Sequence, residues 1–418
     1  MVGAYFPRPF QRTGPGLNTT GAVGKMAARF CLNMIVRDES HVIIRCLDNV
    51  KHLLDAVAIV DTGSLDNTVE LIEGYLSQHK IRGGVTREPW RNFGHNRTSA
   101  IRYAEKVVAG IDGGLPNRPV SKEEWDKVGR GGNWYLLFMD ADNTLCADKG
   151  ERFGPDRTKL VADQYLIDMR QSTVTYTYNW LVKLDLRGKR RWHWIGVLHE
   201  YLGAEGDWNP TLGKVTGGYI ISGREGSRNK DPVKYLADAV VLERELVSQP
   251  KNERYWFYLA QSYRDAVRYD EAIRCYLKRA EMGGWAEEVF ISYLEVAKMQ
   301  LGRPETAHKG YEHLLRAIEI RPSRLEPAYY LVRACRLARL FKIGWLIASQ
   351  FIDREQTQET LFVDWNITNW MFLDEAAVCA YHAGDKENCK KLSQRAIKQA
   401  PNMPPAELER IKKNLSSC

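Results

Sequence analysis

Two aspartates separated by one alanine end an apolar run in WYLLFMDAD, residues 134–142. Side chains alternate along an extended chain, so Asp140 and Asp142 are expected to point the same way. Two carboxylates held together either raise one pKa or share a cation, and a hard divalent metal is the simpler resolution. The triplet alone is a weak signal. Its place directly after a buried run separates it from a solvated turn.

Two further apolar runs end in polar groups. FCLNMIV is followed by Arg37, Asp38 and Glu39, and AVAIV by Asp61, Thr62, Gly63 and Ser64. Gly63 permits a tight turn, and the free N–H groups of a helix starting there favour an anion or a ring carbonyl, which a nucleotide would supply. The plainer alternative is a strand-to-helix turn in which Asp61 or Ser64 caps the helix. In NFGHNRTSAIRYAEKVV, Asn96 and Arg97 fall in or just before the first turn of a helix. Arginine is unfavourable there, so an anion is expected to hold it, either a diphosphate or one of the nearby aspartates.

The span LDLRGKRRWHWIGVLHEYL gathers Arg187, Lys189, Arg190, Arg191, Trp192, His193, Trp194, His199 and Glu200. Basic residues alternating with tryptophan suit a nucleic-acid surface or a sugar and diphosphate site with aromatic platforms. They equally suit a basic hairpin whose tryptophans close the core. A neutral His199 could complete a metal shell begun by two carboxylates, and Glu200 could take a proton from an attacking hydroxyl. Neighbours on an extended strand face opposite ways, so one of the two is expected to be structural.

The elements that must position these groups change character along the chain. From Arg29 to about Gln171, short apolar runs (Phe30–Val36, Ala56–Val60, Trp134–Met139) alternate with amphipathic segments, the rhythm of an open and mostly parallel sheet. In such sheets ligands bind outside the carboxyl ends of the strands, where all three polar clusters fall. Ile43, Ile44, Leu47, Val50 and Leu54 form one helical face with Ser40 as available N-cap; Val69, Leu71, Ile72 and Tyr75 form another. Residues 113–132, rich in Gly, Pro and Lys, read as a surface insertion.

From about Asp231 the period becomes 3.6 and a repeat emerges. Trp256, Leu259, Ala260, Tyr263, Ala272 and Tyr276 have the spacing of a tetratricopeptide helix pair, with small residues where the helices touch. Ala328, Leu331, Val332, Cys335, Gly344 and Ala348 keep those intervals, as do Leu373, Ala376, Ala377, Ala380, Cys389 and Ser393. RAIEIRP (Arg316–Pro322) returns as RAIKQAP (Arg395–Pro401). A helical solenoid is expected.

The bulk numbers set the frame. A 418-residue chain with 44% hydrophobic residues has enough core for more than one domain, and its +8 charge suits anionic partners without choosing among them. Eight cysteines, with no CxxC pair and no Cys/His cluster, point to reduced thiols in a cytoplasmic setting and against a structural zinc. No apolar stretch reaches the ~20 residues that span a bilayer.

With these residues in view, the chain resembles a family-2 type glycosyltransferase of the GT-A fold, in the subgroup with a tetratricopeptide C-terminal region. CLNMIVRDESHVIIRCLDNV and VAIVDTGSLDNT resemble the donor-nucleotide half, NFGHNRTSAI the arginine segment, FMDAD the metal motif and WIGVLHEYL the acceptor-side closure. WFYLAQSYRDA, MGGWAEEVF, RPSRLEPAYYL and FLDEAAVCAYHAGD resemble the helical region. The resemblance implies an α/β GT-A domain over residues 28–228, after a flexible segment 1–27, and an all-α tetratricopeptide-like domain over 229–418.

It implies a metal-dependent, inverting transfer from a nucleoside diphosphate sugar, a UDP-sugar, to an acceptor hydroxyl on a peptide, glycan or nucleic acid. Arg37, Glu39, Asp61, Gly63, Ser64, Arg97 and Asp140 would bind the donor. Asp140, Asp142 and His199 would hold Mn²⁺ or Mg²⁺, Trp192 and Trp194 would face the acceptor, and Glu200 would be the base. The helical repeats would serve a protein partner or self-association. The chain carries Arg37-Asp38-Glu39 where the family usually has Asn-Glu-Glu, and Gly-His-Asn-Arg where Ala-Ala-Arg-Asn is commoner. Competing with this are a non-catalytic scaffold with a degenerate transferase domain and a transferase acting on nucleic acid.

Overall fold

The computed structural model describes residues 27–113, 133–171, 174–186, 190–354, 359, 361–400 and 403–418. The expected flexible segment before residue 27, the body of the 113–132 insertion, Arg187, Lys189 and Pro401 lie outside the described residues. The chain divides into two compact units between Lys234 and Tyr235.

In the first unit the three apolar runs are strands β1 (Arg29–Val36), β2 (Ala56–Asp61) and β4 (Trp134–Phe138). Between β2 and β4 lies β3 (Arg82–Arg87). The later strands are β5 (Thr144–Ala147), β6 (Gln164–Gln171), β7 (Val174–Lys183), β8 (Arg191–Ile195), β9 (Tyr201–Glu205) and β10 (Leu212–Ile221). The main sheet runs β3-β2-β1-β4-β7-β6-β10-β5, with β8 and β9 as a separate antiparallel pair. β3, β2, β1 and β4 are mutually parallel, β6 and β10 are parallel, and β4–β7 and β5–β10 are antiparallel. The sheet is therefore mixed and mostly parallel, as expected.

Helices cross between the parallel strands. These are α1 (Ile43–Val50), α2 (Thr68–His79) and α3 (Phe93–Gly113). α1 buries Ile43, Cys46, Leu47 and Val50, and α2 buries Val69, Ile72, Tyr75 and Leu76. Ser40 does not cap α1: its N–H donates to Asp66 Oδ2 at 3.1 Å, and the helix starts without a side-chain cap. Cover on both faces explains why β2 is buried at every position. A polar residue sits inside this apolar layer. Asn33 on β1 donates to Ala58 O at 3.0 Å and to Ala100 O at 2.8 Å, so one amide ties α3 to two neighbouring strands. That bond sets the position of the turn of α3 that carries Arg97.

The second unit is all helical among its described elements. Lys234–Ser248 leads, and four helix hairpins follow: Glu253–Asp265 with Tyr269–Glu281, Ala286–Leu301 with Ala307–Ile320, Glu326–Leu337 with Phe341–Ser349, and Phe372–Ala383 with Lys386–Gln399. The helix Pro405–Ser417 packs on the last of these. The small residues read from the sequence mark close approaches: Ala260, Ala272, Ala328, Ala376 and Ala380 are fully buried. A Cβ on Gly344 would stand 2.7 Å from Cys379 Sγ and 3.1 Å from Cys335 Cβ. Two hairpins therefore meet where only glycine fits.

The expectation of free thiols throughout fails at one place. Cys389 and Cys418 are joined as a disulfide, and the other six cysteines are free. Their sequence separation of 29 hides the fact that the last helix folds back onto the one before. Among the described residues no helix is long and apolar enough to cross a membrane.

Candidate active site

At the carboxyl edge of the parallel strands the polar clusters meet as expected, but each has a more specific task. The strand β4 stops at Phe138, and Asp140 to Asn143 form a turn closed by the Asn143 N–H on Asp140 O at 3.1 Å. The two aspartates are thus not successive same-face residues of a strand, which corrects the alternation argument. Asp140 Oδ1 accepts from Arg97 Nη2 at 2.7 Å, whereas Asp142 Oδ2 accepts the Gly226 N–H at 3.1 Å. They remain electrostatic neighbours: burial first, and then Asp140, raises the Asp142 pKa. The Cys46 thiol, donating to Asp140 O, is pushed up to about 12 by burial and then by the same two aspartates.

Arg97 is the centre of the site. It is 4% exposed, lies in the second turn of α3 and bridges two carboxylates, Asp140 and Glu200. Of the anions that could have held it, the structure supplies protein carboxylates. Its Nε is 2.7 Å from Glu200 Oε1, yet the angle misses a hydrogen bond, and both atoms lack a hydrogen-bond partner. Burial opposes the guanidinium's charge, but Asp140 and Glu200 outweigh it and raise its pKa. The guanidinium also stands 5.6 Å from the centre of the Trp194 ring. Tyr178, raised well above the ordinary tyrosine value by burial and then by Asp140, stays a neutral hydroxyl beside this pair.

Glu200 is 1% exposed. It follows the turn Val197–His199 and precedes β9. His199 has φ of 52°, a left-handed conformation that is strained for a non-glycine residue. His199 and Glu200 therefore sit in a turn and not on an extended strand. Among the described residues no group of three or more His, Cys, Asp or Glu side chains has metal-binding spacing, so His199 is not assembled with Asp140 and Asp142. Arg97 is the group that joins Asp140 to Glu200, the residue after His199 in this turn. That turn is clasped to the start of α3: Phe93 N–H donates to Val197 O at 3.2 Å and Gly94 N–H to Gly196 O at 3.1 Å. A Cβ on Gly94 would overlap Gly196 O and lie 3.0 Å from Trp194 O.

The nucleotide-side loops interlock. Asp61 is buried and accepts from Gly63 N–H at 3.3 Å and Ser64 N–H at 3.2 Å, so it organises the turn it begins. Gly63 has φ of 109°, which a side chain would oppose. Ser64 Oγ accepts the Asp38 N–H at 2.9 Å, binding the loop after β2 to the loop after β1. Arg37 is exposed, 3.7 Å from Asp38. Glu39 Oε1 accepts the Ser227 N–H at 3.2 Å. Sequence reasoning missed the segment that supplies this partner. Residues 222–230 lie over both Glu39 and Asp142 and are pinned by His41 Nε2 against Glu225 O at 2.6 Å. A Cβ on Gly223 would overlap the Asp142 carbonyl, so GREG at 223–226 was the available signal.

Trp192 and Trp194 are a correction. Both are buried, at 2% and 4% exposure, because β8 alternates and puts them on its covered face. Trp192 Nε1 donates to Lys183 O at 2.9 Å and its ring meets Trp208 edge-on; Trp194 meets Phe138 edge-on. Neither ring offers a face to an acceptor sugar or to a nucleic-acid base.

Comparison with known proteins bears on the first part of this unit. Residues 31–112, from β1 to the end of α3, match the family profile described as Glycosyl transferase family 2. No curated protein matches the chain. Among solved structures, S. aureus TarS 1–349 in complex with UDP-GlcNAc is 14% identical, covers 73% of this chain and 87% of its own, and has a TM-score of 0.28. The tetratricopeptide protein YrrB, described as having an unusual peptide-binding site, is 15% identical over 44% of this chain and 92% of its own, with a TM-score of 0.30. MamA is 14% identical over 40% of this chain and 90% of its own, with a TM-score of 0.32. These are distant likenesses, and the family match alone bears on chemistry.

Proposed function

We propose that the chain transfers a sugar from a UDP-sugar to an acceptor hydroxyl with inversion. The observation that carries this reading is Arg97, buried between Asp140 and Glu200 at the carboxyl edge, in the unit whose residues 31–112 match a glycosyltransferase family. One guanidinium there holds a donor-side carboxylate and an acceptor-side carboxylate in fixed relation.

The donor's uridine lies against the interlocked loops of Asp61, Gly63 and Ser64, and exposed Arg37 with Glu39 borders its phosphates. The diphosphate sits beside Asp140 and Asp142. Two carboxylates are too few to enclose a cation, but they suit Mn²⁺ or Mg²⁺, which take their remaining oxygens from phosphate and water. The raised Asp142 pKa fits this: a dication beside both aspartates favours the charged form that burial and Asp140 disfavour. When bound, the metal neutralises charge gathering on the departing diphosphate. The chain's own residues do the rest. As the bond from the anomeric carbon to the diphosphate oxygen breaks, the acceptor oxygen bonds to that carbon from the opposite face. Glu200 takes the acceptor's proton, and Arg97 fixes the orientation of its carboxylate.

The test is direct. Purified full-length protein with Mn²⁺ and a panel of UDP-sugars should show metal-dependent donor binding by calorimetry and slow donor hydrolysis. Absence of both would overturn the reading in favour of a binding protein.

A further inference from the structure

With Trp192 and Trp194 closed in the core, the exposed aromatic at the carboxyl edge is Trp90, in the loop between β3 and α3. Among the described residues it is the one tryptophan more than a third exposed, at 40%. A single exposed aromatic is ordinarily unremarkable on a protein surface. This one is held rigid from both sides. Fully buried Asn96 accepts the Arg91 N–H at 2.9 Å and donates to Pro89 O at 3.1 Å, so one amide fixes both neighbours of Trp90. The loop's start is anchored by Glu88 N–H on Asp61 O at 2.9 Å, and the Glu88 carboxylate meets His95 at 2.9 Å and Ser99 Oγ at 3.0 Å. An apolar ring kept in water on a preorganised backbone is the arrangement of a ligand contact.

Its surroundings point the same way. The Trp90 ring meets Phe93 edge-on at 4.7 Å, and the Arg228 guanidinium stands 4.8 Å over the Phe93 ring. Phe93 N–H is bonded to Val197 O in the turn that delivers Glu200. Arg228 follows Gly226 and Ser227, whose N–H groups reach Asp142 and Glu39. The aromatic pair thus stands on the rim between the segment that places Glu200 and the segment that covers Asp142.

We propose that Trp90 is the platform on which a pyranose ring of a substrate rests, an inference that rests on the transferase reading above. A pyranose has one face of C–H groups and a hydroxylated edge. A tryptophan face accepts the former, and an adjacent arginine donates to the latter. The ring belongs either to the donor's sugar or to a saccharide acceptor, and the experiment separates these sources.

Full-length wild type, Trp90→Ala and Trp90→Phe are titrated with UDP, UDP-GlcNAc and UDP-glucose in Mn²⁺. Donor hydrolysis is then measured with chitotetraose or cellotetraose as added saccharide. If the donor sugar stacks, Trp90→Ala weakens a UDP-sugar about tenfold while UDP itself binds as in wild type, and Trp90→Phe keeps most of the affinity. If an acceptor ring stacks, nucleotide-sugar binding is unchanged, and the saccharide alters hydrolysis by wild type and Trp90→Phe but not by Trp90→Ala. Trp90→Ala matching wild type in both arms overturns the platform, and so does equal loss of UDP and UDP-sugar binding, which marks a structural role. Wild type binding no nucleotide sugar is a distinct failure: it removes the transferase reading and the platform with it.

Discussion

Each unit buries an arginine between carboxylates, and the two arginines are satisfied to different degrees. In the helical unit Arg324, fully buried, donates to Glu326 through Nε at 3.0 Å and Nη2 at 2.6 Å, to Glu359 at 3.3 Å, and to the carbonyls of Leu361 at 3.0 Å and Phe362 at 3.3 Å. Its plane also covers the Phe290 ring at 4.6 Å. Every face is occupied, and the cluster fastens a loop to a helix. Arg97 has one directional bond, to Asp140, and an ion pair with Glu200 whose atoms remain without hydrogen-bond partners. Burial of charge is common to both and does not by itself mark chemistry. What sets Arg97 apart is its place at the carboxyl edge of a parallel sheet, where such folds bind ligands.

The largest expected effect comes from breaking this contrast at its centre. Arg97→Met leaves buried Glu200 and half-buried Asp140 without their cation and should cost about 3–5 kcal/mol of stability, together with all donor hydrolysis. Arg324→Met should cost a similar amount, read by calorimetric melting, while hydrolysis per folded molecule stays at wild-type level. Loss of hydrolysis in folded Arg324→Met would erase the distinction between the clusters.

Asp142→Asn comes next. It should abolish metal-dependent donor binding and lower hydrolysis by at least ~100-fold, within the range seen when electrostatic groups are removed. Stability should move the other way. The folded chain holds the Asp142 proton more tightly than the unfolded chain, whose value is near 3.8. Stability from this group is therefore present below 3.8 and lost as pH rises through the raised folded value. At pH 7 Asp142→Asn should melt no lower than wild type and should lack that part of the pH dependence.

A smaller effect is expected from Glu200→Gln, which should bind UDP-sugar normally and turn over about 100-fold more slowly. Wild-type turnover would reassign Glu200 from base to anchor of Arg97. The smallest belongs to Gly94→Ala, whose Cβ would push α3 away from Gly196 and Trp194. A cost of about 1–3 kcal/mol is expected, with slower turnover and unchanged UDP affinity.

The physical reach of the sequence explains what was legible. β1, β2 and β4 are buried on both faces, so their composition alone identifies them, and the 3.6 period of the helical half survives because every hairpin repeats it. β3, RGGVTR, is an exposed edge strand with two glycines and no apolar run, and it left no such trace. The aspartates, Arg97 and Glu200 were visible because charge next to an apolar run or at a helix start is locally anomalous. Which tryptophans face water was not legible. In RWHWI the alternation was plain, but nothing local says which side of a two-stranded ribbon is covered. Asn96 was invisible as a clamp because its partners, Pro89 and Arg91, meet it only once the loop has folded back.

The Arg97 centre also sets an order of events in folding. Its three members come from α3, the turn after β4 and the segment before β9, so each contact closes a long stretch of chain. Contacts of that span form late, after local helices and neighbouring strands have already collapsed. A chain emerging from its N-terminus can complete β1, α1, β2 and α2 while Arg97 still lacks both carboxylates. The centre is thus specified late, and any piece that ends before Glu200 leaves its arginine anchored on one side alone.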